Sequence, residues 1–399
     1  MIFRFKNELE IKFLKLYLLL GHNKLLKIYF LLLFFFIFYP IEIKYDTKAI
    51  NKSLLKEKVN VLFLNKTKND INELQRKLLK NISNNIPISI NYNIKENNSN
   101  ILIPYIKKQN DFCDNQKKYY NKIIEEQIIL RKINFKGYSY KIYIYKNKNF
   151  ISTELNRIGS FEGIETINIL KALQYYGIKK NIKNNKEIFM LDIGGNIGWY
   201  PSFLGRFGYS ILSFEPLEIN YYILRKNYCL INKKNNIVII TKGLNNEEKT
   251  CDYYIHVNNP GNGMIICDKK KINDINLNIK FQKLKEVSLT RLSNFIPYLS
   301  DKNLALIKID IEGAEGKAFE SGIELITKYH IPFIVIEITP IFLKEHGTDP
   351  YEFIKLFVDN GYYISLQGFL NKNYVSIKQL FKKIKFQRNC YFIYKEIID

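Results

Sequence analysis

Between Phe189 and Tyr200 the chain reads Phe-Met-Leu-Asp-Ile-Gly-Gly-Asn-Ile-Gly-Trp-Tyr. An apolar run that ends in Asp192 and enters a glycine-rich turn predicts a buried strand leading into a helix that starts near Trp199. Gly194 and Gly198 remove Cβ atoms where a ligand approaches the backbone, and the helix N-terminus adds free N–H groups and a favourable dipole. This is the first βα crevice of a doubly wound sheet, where nucleotide-like ligands bind. Ile193 stands where the first glycine of G-x-G-x-x-G is needed, so that dinucleotide fingerprint is not met, and no G-x-x-x-x-G-K-[ST] loop is present.

The surrounding pattern agrees. Strands are expected at Tyr140–Tyr145, Ile188–Ile193, Ser210–Glu215, Asn236–Thr241, Leu304–Asp310, Phe333–Ile338, Tyr362–Leu366 and Cys390–Tyr394. Helices are expected at Phe161–Tyr176, Leu217–Asn232, Gly316–Tyr329 and Pro350–Asn360. Apolar strands separated by helices mean a parallel sheet covered on both faces. The last two strands are expected to close it as an antiparallel hairpin.

Several strands deliver acids to one edge. Glu215, 23 residues after Asp192, ends the second strand, where a carboxylate accepts hydrogen bonds from both hydroxyls of a ribose. Asp310, Glu312 and Glu315 follow the strand that begins at Leu304, with Gly313 allowing a tight turn, and Glu337 ends the next. Carboxylates this close raise at least one pKa, which suits a proton acceptor. A helix-capping acid box is the competing reading.

Taken together, Asp192-Ile-Gly-Gly-Asn-Ile-Gly198, Phe214-Glu-Pro216, Lys308-Ile-Asp-Ile-Glu-Gly-Ala-Glu315 and Ile336-Glu-Ile338 resemble the FkbM family of S-adenosylmethionine-dependent methyltransferases. Gly159-Ser-Phe-Glu162 and Tyr362 after Asn360-Gly361 extend the similarity over about residues 150–394. The resemblance implies a class I methyltransferase fold, an α/β doubly wound, Rossmann-like sheet of seven strands with the last antiparallel. It implies that Glu162, Asp192, Gly194, Asn196, Gly198 and Asp310 serve the cofactor, that Glu215 holds its ribose and that Asn246 faces the adenine. Ser293 replaces an acid common in the family, and Gly195 stands where alanine is common and should be tolerated.

Composition sets limits. With 61 Lys and Arg against 38 Asp and Glu the formal charge is +23, spread through Lys-, Asn- and Ile-rich sequence. That reads as a solvated basic surface rather than a nucleic-acid face. Five scattered cysteines and four histidines suggest neither a disulfide framework nor a His/Cys metal site.

Ile28–Ile41 is an uncharged run of 14 residues, about 21 Å as a helix. Including Leu25 and Leu26, it reaches the lower limit for spanning a bilayer, and six basic residues precede it. The expected organisation is a cytosolic tail (1–24), a transmembrane signal anchor (25–43), a stem (44–114) and a methyltransferase domain (115–399). A cleaved signal peptide and a core element are the alternatives for the apolar run. All four N-x-[ST] sequons, at Asn51, Asn65, Asn81 and Asn97, fall in the stem, which suits a body in the lumen of the endoplasmic reticulum or Golgi.

The functional expectation is methyl transfer from S-adenosylmethionine to a hydroxyl of a glycan or small molecule, with Asp310 as first candidate base and Glu312 and Glu315 behind it. The carboxylates could instead hold a divalent cation that orients two hydroxyls. An RNA or protein acceptor, or a binding protein without turnover, are the alternatives.

Overall fold

The computed structural model describes residues 101–146, 150–231, 236–256, 259–267 and 281–399. The tail, the expected anchor, the sequons and most of the stem lie outside the described residues. Among the described residues no helix is long and apolar enough to cross a membrane.

Helix α1 (Ile103–Asp114) leads to a hairpin, β1 (Ile128–Phe135) and β2 (Tyr138–Tyr145). Helices α2 (Phe150–Ile158) and α3 (Gly163–Lys179) precede β3 (Ile188–Ile193), α4 (Trp199–Leu204), β4 (Ser210–Phe214), α5 (Glu218–Cys229) and β5 (Ile237–Ile240). Four strands come next: β6 (Gly243–Asn245), β7 (Lys249–His256), β8 (Asn259–Ile266) and β9 (Phe281–Arg291). The chain ends with β10 (Asn303–Ile309), α6 (Glu315–Ser321), β11 (Phe333–Ile338), α7 (Pro350–Asp359), β12 (Tyr362–Ser365), α8 (Ile377–Lys383) and β13 (Arg388–Tyr394).

Seven strands form one sheet in the order β12-β13-β11-β10-β3-β4-β5. Only β13 runs against the rest, pairing antiparallel with both β11 and β12. The apolar runs become central strands because neighbouring residues enter opposite cores. Met190 and Val335 pack on one face, while Leu191, Ile193, Ile307 and Ile336 pack on the other. Strand order reverses between β3 and β10, and there the carboxyl ends open into a crevice.

Four expectations need correction. The final strands do not form a simple closing hairpin: α8 separates them, and β13 inserts between β11 and β12. The helix expected over Gly316–Tyr329 breaks at Gly322, where a Cβ would lie 2.5 Å from Leu292 Cδ2. The cysteines form two disulfides, Cys113–Cys229 and Cys251–Cys267, leaving Cys390 buried and unpaired. Cys113 and Cys229 are 116 residues apart in sequence and meet because α1 packs on α5, a proximity that spacing does not reveal.

The same packing moves the domain boundary. Residues expected to end the stem belong to the α/β body, since the amide of Gln109 on α1 pairs with the edge strand β5. Gln109 Nε2 donates to Ile237 O at 2.8 Å, and Ile239 N donates to Gln109 Oε1 at 2.9 Å. A side chain thereby closes an edge that would otherwise offer unpaired groups.

Between β5 and β10 lies a second sheet, which the sequence pattern does not announce, in the order β6-β9-β7-β8. It has a small core of its own, from Leu217, Cys251, Tyr253, Val287 and Leu289.

Candidate active site

The crevice floor depends on close backbone approach. Asp310 N donates to Ile193 O at 3.0 Å, and the N–H groups of Gly194 and Gly195 donate to Phe214 O at 3.0 and 2.9 Å. Gly194 has φ +86°, and a Cβ there would sit 2.0 Å from Asp310 O, so only glycine fits. Gly195 also sits in close packing. Its Cβ would lie 2.2 Å from Ser213 Oγ, which donates to Asp192 Oδ2 at 2.9 Å.

Beneath this turn lies a buried charge cluster. Asp192 has no exposed surface, and its Oδ1 has no hydrogen-bond partner. Burial raises its pKa against the pull of Lys308 and the Ser213 hydroxyl. Lys308 Nζ donates to Gly194 O at 3.2 Å and to Asp310 Oδ2 at 3.4 Å, and lies 5.4 Å from the centre of the Tyr200 ring. Burial opposes its charge, but Asp310, Asp192 and Glu162 outweigh that and raise its pKa.

At one end of the cleft Glu215 is held by three donors. Asn196 N donates to Oε2 at 2.8 Å, and Leu217 N and Asn220 Nδ2 donate to Oε1 at 2.9 and 3.3 Å. Burial nevertheless pushes its pKa up to about 7. At the other end, Glu162, Asp310, Glu312 and Glu337 crowd together. Tyr200 Oη donates to Glu162 Oε2 at 2.6 Å, and Gln387 Nε2 to Glu337 Oε1 at 3.0 Å. Burial and the Asp310 charge push Glu162 up to about 7, and burial with Asp310, Glu312 and Glu162 pushes Glu337 up to about 9. One carboxylate oxygen from each of Asp310, Glu312 and Glu337 lies within 4.8 Å of the others. Glu162, Asn196 and Glu312 all have left-handed backbone, with φ of 45°, 46° and 54°, so strain collects around the site.

These groups line one cleft of about 170 Å³. A larger hollow of about 340 Å³, lined by Lys180, His330, Tyr394 and Glu396 among others, contains none of them. Of the residues expected from sequence, Glu162, Gly194, Asn196, Glu215, Asp310 and Glu312 line the cleft together. Asp192 lies behind the lining and supports it electrostatically. Gly198 packs α4 against Leu224, 2.9 Å from where its Cβ would be.

Two expected residues face elsewhere. Glu315 is 1 % exposed and its Oε1 accepts from Ile311 N and Gly313 N at 3.0 and 3.3 Å, so it shapes the turn rather than the cleft. Asn246 donates to Glu320 at 2.7 Å, outside the cleft lining. Glu337, in the sequence one more acid at a strand end, joins the cleft lining.

Lys308, Tyr200 and Tyr253 also line the cleft, although the sequence motifs give them no role. Lys308 carried a readable signal: a lysine inside an apolar strand, two residues before Asp310 and hence on the same face. Tyr253 comes from the unforeseen sheet and carried none.

Residues 192–364 match the family described as the methyltransferase FkbM domain. A curated relative, methyltransferase sdnD of Sordaria araneosa, is 24% identical over 149 residues, covering 32% of this chain. The aligned part spans 57% of that relative's length. Among solved structures, the bifunctional kinase-methyltransferase WbdD aligns with a TM-score of 0.36 at 9% identity, over 62% of this chain and 44% of that one. Magnesium protoporphyrin IX methyltransferase from Synechocystis PCC 6803, solved with bound SAH, aligns with a TM-score of 0.30 at 10% identity, over 72% of this chain and 98% of that one.

Proposed function

We propose that this chain is an S-adenosylmethionine-dependent methyltransferase acting on a hydroxyl oxygen of a glycan or small molecule. The observation that carries the reading is the meeting, in one cleft of an FkbM-family segment, of a glycine cradle, a donor-held Glu215 and a crowded acid edge. The residues fit the cofactor. Gly194 and Asn196 line the cleft, and Glu215 presents a buried carboxylate at the end of β4. Gly194 and Asn196 would hold the methionine part, and Glu215 would accept from the ribose hydroxyls. When bound, S-adenosylmethionine supplies a methyl group on a positively charged sulfur.

The protein's share is alignment and proton removal. Asp310, fixed by Lys308 at the crevice edge, is the proposed acceptor of the hydroxyl proton, with Glu312 beside it. Glu162 and Glu337, whose pKa values are raised to about 7 and about 9, are placed to share or pass on that proton. A divalent cation held by Asp310, Glu312 and Glu337 is the second reading, favoured by the 4.8 Å clustering of their oxygens.

Two disulfides favour an oxidising compartment. Together with the basic, apolar N-terminal sequence and the stem sequons, they support a body in the lumen of the early secretory pathway. Protease added to intact microsomes should then spare the body, and digestion of the body in sealed vesicles would refute this. For the chemistry, methyl-labelled S-adenosylmethionine is offered with neutral sugars, small alcohols, RNA and proteins. Label on sugar or alcohol oxygen is expected. Label confined to RNA or protein would replace the proposed acceptor, and cofactor binding without transfer to any acceptor would favour a non-catalytic role.

A further inference from the structure

The inserted sheet has a face toward the cleft. Tyr253 on β7 and Gly263 and Ile265 on β8 join the lining, beside Phe150 and Ile151 of α2. Tyr253 pairs with Ile265 across the hairpin. A Cβ at Gly263 would lie 2.4 Å from Tyr253 Cε1, so the missing side chain makes room for the phenol ring. One step beyond the Tyr253–Ile265 and Asp252–Ile266 pairs, the Cys251–Cys267 disulfide ties the two strands together. Tyr253 is 6% exposed and is packed with Leu217, Val287 and Leu289. It lies within electrostatic reach of Glu215 at one end of the cleft and of Glu312 and Asp310 at the other.

We infer that this wall is the acceptor-binding side of the cleft, with Tyr253 as its specificity residue, and that it fits an uncharged ring bearing hydroxyls. The inference rests on the methyltransferase reading for what happens to the hydroxyl, but not for the binding itself. One side of the cleft is aromatic and aliphatic: Tyr253, Ile265, Phe150 and Ile151. The other is a row of carboxylates. A polyhydroxylated ring satisfies both, setting its C–H face against the aromatic wall and its O–H donors toward the acids. Among the described residues the lining holds five carboxylates, Glu162, Glu215, Asp310, Glu312 and Glu337, against one ammonium, Lys308. A phosphorylated or carboxylated acceptor would meet repulsion there, although the whole chain carries a formal charge of +23.

Saturation-transfer NMR tests this on the full chain, using methyl glycosides of glucose, mannose and galactose beside the 6-phosphates of the same sugars. Wild type, Tyr253→Ala and the Cys251→Ser/Cys267→Ser double variant are compared, with S-adenosylhomocysteine titrated into each. At least one neutral glycoside should bind wild type, with binding weakened at least tenfold by Tyr253→Ala and to a lesser extent by loss of the disulfide. Affinity for S-adenosylhomocysteine should stay within about twofold, which also shows that each variant is folded. Binding of phosphates as tight as that of glycosides, unchanged glycoside binding in Tyr253→Ala, or no glycoside binding at all would overturn the inference. A loss confined to S-adenosylhomocysteine would assign the wall to the cofactor instead. Failure of wild type to bind S-adenosylhomocysteine would break the methyltransferase reading while leaving the glycoside comparison interpretable.

Discussion

The two ends of the cleft treat carboxylates in opposite ways. Glu215 has its own set of directed donors, two of them backbone N–H groups fixed by the Gly194–Asn196 turn and the start of α5. Glu162, Asp310, Glu312 and Glu337 instead crowd beside the buried Lys308, and burial together with the neighbouring acid charges raises the pKa values of Glu162 and Glu337. An acid surrounded by fixed donors is organised to receive a ligand's hydroxyls in one geometry. Acids crowded around a single cation are organised to exchange protons. On the proposed function, the contrast separates a binding end from a reacting end within about 170 Å³.

The sharpest way to break this contrast is Asp310→Asn. It keeps the shape and removes the proton acceptor, so turnover should fall by roughly 10²–10⁴ while affinity for S-adenosylhomocysteine hardly changes. Equal losses in both would place Asp310 at the binding end. Lys308→Met should act on folding. It strips the charge from beside Asp310, Asp192 and Glu162, and removing one partner of a buried ion pair costs about 3–5 kcal/mol. Urea denaturation reads this directly, and an unchanged midpoint would mean that the acids do not depend on the lysine.

The crowding also predicts a pH dependence. Glu162, Glu215 and Glu315 have pKa values raised from 4.5 to about 7, so between those values the folded chain holds protons that the unfolded chain has lost. Stability of the ligand-free protein should therefore fall as pH rises from about 4.5 to about 7, which melting scans across that window can follow. A flat or rising profile would mean that burial is relieved by water at these sites.

Gly195→Ala should have a smaller effect, about 1–3 kcal/mol of stability, because the Ser213 hydroxyl must turn away from the buried Asp192 carboxylate. Smallest of all should be the effect of a chelator. If Lys308 alone neutralises the reacting end, EDTA leaves turnover unchanged, whereas activity restored only by Mg²⁺ or Mn²⁺ would favour the cation reading.

The parts of the molecule that were legible in the sequence are those with local causes. Phe189–Ile193, Leu304–Ile309 and Phe333–Ile338 announce buried strands by uninterrupted apolar residues, and the Gly194–Gly198 turn announces its crevice by missing side chains. Glu215 and Asp310 were placed correctly at the sheet edge because strand ends in a doubly wound sheet point the same way.

Long-range packing was not legible. The second sheet pairs β6 with β9 across 35 intervening residues of weakly patterned sequence, and the Cys113–Cys229 disulfide depends on α1 folding back onto α5. Glu315 shows the limit at a single residue. It lies in the same acid run as Asp310 and Glu312, but α6 begins at Glu315 and its carboxylate turns inward to the backbone N–H groups of the preceding turn.

The central claim, that this cleft binds S-adenosylmethionine with Glu215 on the ribose, is tested most directly by calorimetric titration of S-adenosylhomocysteine into wild type and Glu215→Ala. Loss of two charge-assisted hydrogen bonds should cost about 2–4 kcal/mol, a 30- to 1,000-fold drop in affinity. Wild-type affinity should also strengthen as pH rises through about 7, because the ionised Glu215 is the form that accepts both hydroxyls. A Glu215→Ala protein that binds the ligand as tightly as wild type would contradict the account.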